Sequence, residues 1–177
     1  SWSGVSGVAS VESGEALTAE HRFRLASVTK LYTEVVVLQL VDEGALSLDA
    51  VVADLLAEDQ LSGLPWASEI TVRQLIDHTS GVRNFTDVDR FWHEAYAEGG
   101  LDRTWEPEEL IAYAVRRRPY DDPGEGYRYS STNYILLGMI AESVENQPLN
   151  EIYRERLFEP LGLEHTHLEG FDAGSAG

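Results

Sequence analysis

The chain has 177 residues, 43% of them apolar, enough for one domain with a core and too apolar for disorder. It has no Cys, which excludes disulfides, thiolate chemistry and Cys-based zinc or iron–sulfur sites. Thirteen basic residues against 31 acidic ones give a net charge of −18; this surface repels phosphate backbones, so no nucleic-acid partner is expected. No stretch is long and apolar enough to span a membrane.

Taken in order, Trp2 to Val11 is rich in small and β-branched residues and predicts a strand interrupted by glycine. Ser13-Gly14-Glu15 predicts a turn. From Ser27 to Glu43, Val28, Leu31, Val35, Leu38 and Val41 recur at three- and four-residue steps. Val36, Val37 and Leu40 widen that stripe, which predicts a helix buried on most sides and stopped at Gly44. Residues 51–57 predict a short helical segment, and residues 61–68 a loop with Gly63 and Pro65. Thr71 to Asp77 predicts a short helix with Thr71 as its N-cap.

Residues 84–100 are polar but aromatic, and read either as a flap over a cleft or as a helix packed by its rings. Pro107 to Arg118 predicts a helix with proline in its first turn and three arginines at its end, where cations suit the dipole. Asp122-Pro123-Gly124 predicts a turn, followed by an apolar helix that carries Ile135, Leu136, Met139, Ile140 and Val144. Leu149 to Leu157 predicts a last helix, and residues 170–177 a flexible end of small residues.

Chemistry concentrates at Ser27-Val28-Thr29-Lys30. Residues three apart share a helix face, so the hydroxyl and the amine can meet. Serine is a weak nucleophile that needs a base, and a lysine can serve as one. The plain alternative is a capping serine and a first-turn lysine. Lys30 is the only lysine beside twelve arginines, and arginine keeps its proton. Tyr129 lies just before a predicted helix, in a loop that could reach Ser27.

His78 reads as a general base or as a packed, hydrogen-bonded histidine beside the Gly81 turn; the packed reading is preferred. His165 and His167 have poor ligand spacing, and no metal and no cofactor are expected.

Together, Ser27 to Lys30, residues 41–49 (VDEGALSLD), Leu75 to Gly81, and Pro123-Gly124 through Tyr129, Asn133-Tyr134 and Leu137-Gly138 resemble the class C β-lactamase, D-alanyl-D-alanine carboxypeptidase and penicillin-binding-protein family. The resemblance implies an α/β (α+β) β-lactamase/transpeptidase-like fold, here mainly the helical region with a partial antiparallel sheet. Residues 1–177 would form a single, incomplete domain of that kind. It also implies a serine hydrolase acting through an acyl-enzyme on a small-molecule or peptide substrate, β-lactam or D-Ala-D-Ala-like. Ser27 would attack, Lys30 and Tyr129 would share the acid and base work, and the Ser27 N–H would supply half of an oxyanion hole. An extracytoplasmic location is a further expectation from the family.

Two departures accompany the resemblance. The family's Tyr-x-Asn reads Tyr129-Ser130-Ser131 here, so Ser131 stands at the substrate-binding asparagine. A serine is shorter and offers one hydroxyl in place of an amide. The third motif, Lys/His-x-Gly, is not found after Tyr129, so a companion segment supplying it is expected. An esterase of the same fold and a catalytically impaired penicillin-binding-like module remain the alternatives.

Overall fold

The computed structural model describes residues 2–61, 63–97 and 103–168. The small-residue end at 170–177 lies outside them. Helix α1 (Thr29–Asp42) follows a 3-10 turn at Ala26–Val28. It stops at Gly44, whose φ of 74° only glycine adopts without strain. Helices α2 (Val52–Leu55) and α3 (Val72–Ile76) are short. Thr71 caps α3 reciprocally: its hydroxyl accepts from Gln74 N–H at 3.3 Å, and the Gln74 side chain accepts from Thr71 N–H at 3.0 Å.

Helix α4 (Asp89–Ala95) follows a 3-10 turn at Phe85–Asp87, and α5 (Pro107–Val115) opens on its proline. Between them Phe91 packs edge-on against Phe85, Trp92 and Tyr113, forming a second, smaller core. The described part of the aromatic stretch is therefore a helix packed by its rings.

Helix α6 (Ser131–Glu145) is central and packs against α1, α2, α3, α5 and α7 (Leu149–Tyr153). Its Leu136, Leu137 and Ile140 are fully buried with Val36, Val37 and Leu40 of α1 and Leu75 of α3. Each such side chain contributes about 1.5–3 kcal/mol on burial, so this core fixes how α1 sits against α6. The Thr33 and Tyr153 hydroxyls bond at 2.6 Å in the interior and pin α7 to α1. After α7 the chain runs through a π turn (Arg154–Phe158) into α8 (Glu159–Leu161). Pro160 lacks an N–H and crowds the carbonyl four residues back, which favours this wider turn.

Two expectations are corrected. The strand over Trp2–Val11 does not form; one isolated antiparallel bridge joins Val8 to Ala16. A lone pair of strands without a third strand or a packed face does not propagate, so the partial sheet is absent among the described residues. Nor is α1 buried on most sides. Leu31, Val35 and Leu38, with Val28 before them, form a stripe that is 43–60% exposed. No helix among the described residues is long and apolar enough to cross a membrane.

Candidate active site

Ser27 sits in the 3-10 turn, exposed, one residue after Ala26. Ala26 has a φ of 47°, a left-handed conformation that costs an L residue about 1–2 kcal/mol. The buried half of α1 holds the next turn of the chain firmly. Lys30 Nζ donates to Ser27 Oγ at 3.3 Å, so the three-residue spacing does bring amine and hydroxyl together.

Tyr129 arrives from 102 residues away, and its hydroxyl donates to the same Ser27 oxygen at 3.1 Å. Lys30 Nζ also lies 5.1 Å from the centre of the Tyr129 ring. Burial pushes the Tyr129 phenol up. Hydrogen bonds with Lys30, Ser27 and Ser131 and the Lys30 charge outweigh it and hold the phenol below its ordinary value. Serine, lysine and tyrosine thus share one hydrogen-bonded cluster.

The loop bearing Tyr129 is held in place by backbone bonds to the turn after α3. Gly81 C=O accepts from Tyr120 N–H at 2.9 Å, Thr79 C=O from Gly124 N–H at 2.8 Å, and His78 C=O from Arg128 N–H at 2.8 Å. Gly81 is required there: its φ is 72°, and a Cβ would stand 2.0 Å from the Asp121 carbonyl oxygen.

The start of α6 is capped from a distance. Asn84 Oδ1 accepts from Ser131 N–H at 3.1 Å, satisfying one of the free donors of the first turn. Ser131 therefore lies at the helix start, within hydrogen-bonding reach of Tyr129. Asn133 does not replace the missing amide. It is fully buried and donates to Leu75 C=O at 3.1 Å, while its Oδ1 accepts from Ser80 Oγ at 2.8 Å.

Two residues make contacts at the site that the sequence reading did not assign. Tyr134 also lies under Lys30, with 5.7 Å from Nζ to its ring centre, and its hydroxyl donates to Glu34 at 3.2 Å. Burial and the Glu34 charge push its phenol up strongly. His78 is buried, as the packed reading had it, but it also touches the Tyr129 loop directly. Its Nδ1 accepts from Ser130 N–H at 3.2 Å. His165, Thr166 and His167 line a groove of about 780 Å³ beside α1, together with Phe23, Tyr32 and Phe158.

The fold is β-lactamase/transpeptidase-like. A D-stereospecific amidohydrolase from Streptomyces sp. superposes with a TM-score of 0.73 at 36% identity, over 80% of this chain and 42% of that one. D-amino acid amidase from Ochrobactrum anthropi SV3 superposes with a TM-score of 0.79 at 29% identity, over 95% of this chain and 43% of that one. The family described as Beta-lactamase matches residues 1–177, and the chain belongs to that family. Penicillin-binding protein 4 of Amycolatopsis lactamdurans is 34% identical over 170 residues, 91% of this chain and 40% of that protein. The chain spans 28–40% of the length of the curated relatives it matches.

Proposed function

We propose that this chain carries the nucleophile and base of a serine hydrolase that acts through an acyl-enzyme on an amide, of D-alanyl-D-alanine carboxypeptidase or β-lactamase type. The observation that carries this reading is the convergence of Lys30 Nζ and the Tyr129 hydroxyl on Ser27 Oγ. Ser27 Oγ attacks the carbonyl carbon while its proton passes to Tyr129 in its phenolate form or to Lys30 in its free-amine form. The tetrahedral oxyanion collapses, the C–N bond breaks, and the leaving nitrogen takes the proton back. Water then attacks the ester, with the same groups acting in reverse. The lowered Tyr129 phenol suits it to that exchange, and the Ser27 N–H is the oxyanion donor assigned to this chain.

The relatives support an amide substrate through their own names, a D-stereospecific amidohydrolase and a D-amino acid amidase. Ser131 is the substrate-facing residue of this reading. Residues 1–177 belong to one β-lactamase-like domain, and a companion segment supplies the third motif. Support for this comes from the share of relatives' length that the chain covers and from the exposed Leu31, Val35 and Leu38 stripe.

Intact-mass spectrometry with a β-lactam and with a fluorophosphonate, on this chain and on Ser27→Ala, tests the reading. A stoichiometric adduct lost in the variant supports it. An adduct that forms and never turns over points to the impaired binding module, which the serine at position 131 favours. No adduct from either reagent, in the chain alone or joined to the rest of its domain, overturns it.

A further inference from the structure

His78 grips the chain on both sides of Tyr129. Its carbonyl accepts from Arg128 N–H at 2.8 Å, and its Nδ1 accepts from Ser130 N–H at 3.2 Å. Its ring lies 4.6 Å from the Tyr129 ring, centre to centre, at 41°. His78 has a φ of 62°. Histidine is among the residues that tolerate this left-handed conformation.

We propose that His78 is a positioning residue that clamps the 128–130 backbone and so holds the Tyr129 hydroxyl against Ser27 and Lys30. This rests on the reading of Tyr129 as the proton carrier. The clamp works only in the neutral imidazole with its proton on Nε2, since a protonated Nδ1 would face the Ser130 N–H donor to donor. The surroundings favour that state. Burial and the Lys30 charge hold the imidazole below its ordinary value, against the pull of Asp77 and Glu34. Tyr127, Tyr129 and Tyr134 supply the rings around it. The Asn133 amide, 3.4 Å from Nδ1, offers a second donor to the same nitrogen.

Titration of ζ-carbon-labelled tyrosines by NMR tests the clamp, with Tyr129→Phe assigning the signal. In His78→Ala the Tyr129 phenol should titrate about one pH unit higher than in the parent chain. In His78→Asn it should stay near the parent value, because asparagine keeps an acceptor near Nδ1 and accepts a left-handed φ. Equal titration in parent and His78→Ala, or equal shifts in both variants, overturns the proposal. A second readout needs no variant: protection of the Ser130 amide from hydrogen exchange should fall about tenfold as His78 protonates, and unchanged protection overturns the clamp. Ser27 labelling on the same samples separates the two readings. Titrations as expected without a Ser27 adduct retain the clamp and reject the proposed function. An adduct with Tyr129 indifferent to His78→Ala does the reverse.

Discussion

Tyr129 and Tyr134 share one ammonium: Lys30 Nζ lies 5.1 Å from one ring centre and 5.7 Å from the other. Their phenols are nevertheless pushed in opposite directions. Tyr129 is lowered because hydrogen bonds with Lys30, Ser27 and Ser131 overcome its burial. Tyr134 is raised by burial and by Glu34, one turn of α1 beyond Lys30. On the proposed mechanism, this split makes Tyr129 the proton carrier and Tyr134 a packing residue. Tyr129→Phe should therefore slow Ser27 acylation on the order of 10²–10⁴-fold. Tyr134→Phe should change that rate little and cost about 1 kcal/mol of stability through its hydrogen bonds. Acylation kinetics by mass spectrometry and urea midpoints on the two variants check both statements.

Lys30→Arg keeps the charge beside Ser27 but replaces an amine that can give up and retake a proton with a guanidinium that keeps its own. Acylation should fall by at least the loss seen for Tyr129→Phe, with the thermal midpoint nearly unchanged. An arginine variant that acylates at the parent rate would show that only positive charge is needed.

Stability should fall as pH drops below about 6.5, the unfolded histidine value, and level off below the folded value of His78. The sign follows from the lowered native pKa: in that window the unfolded chain binds a proton that the native chain refuses. Glu142, raised by burial, pulls the other way as it protonates. The difference between parent and His78→Asn at each pH isolates the histidine. Between pH 7.5 and 4.5 the parent's urea midpoint should fall relative to that of His78→Asn, and parallel curves would contradict the assignment.

Gly81→Ala should destabilise by about 3 kcal/mol, because it combines a left-handed backbone with a Cβ 2.0 Å from the Asp121 oxygen. Thr71→Ala, which removes only half of a capping box, should cost about 1 kcal/mol. Chemical denaturation of the two variants measures this contrast. A Gly81→Ala cost no larger than the cap's would mean that the 120–128 loop is not locked to the turn after α3.

Local rules carried much of the fold. The Thr71 cap, the Pro107 start and the stripes of α1 and α6 each name their element within a few residues, since caps and periodicity are short-range. The Ser27–Lys30 pair was legible for the same reason. What stayed hidden depended on distant partners. Val5, Val8 and Val11 suit a strand, but a strand needs a neighbour. Leu31, Val35 and Leu38 are apolar whether or not anything covers them. Tyr134 reads as one more residue of an apolar helix until Lys30 is placed beneath it. The grip of His78 depends on where the 120–128 loop crosses the turn, which no spacing within either segment records.

The lone lysine beside Ser27 also makes the chain a natural single-site reporter. Amine-selective reagents find one side-chain target, and it is the group three residues from Ser27. A lysine-specific protease has one place to cut, after residue 30, so any acyl group on Ser27 would travel with the short N-terminal fragment.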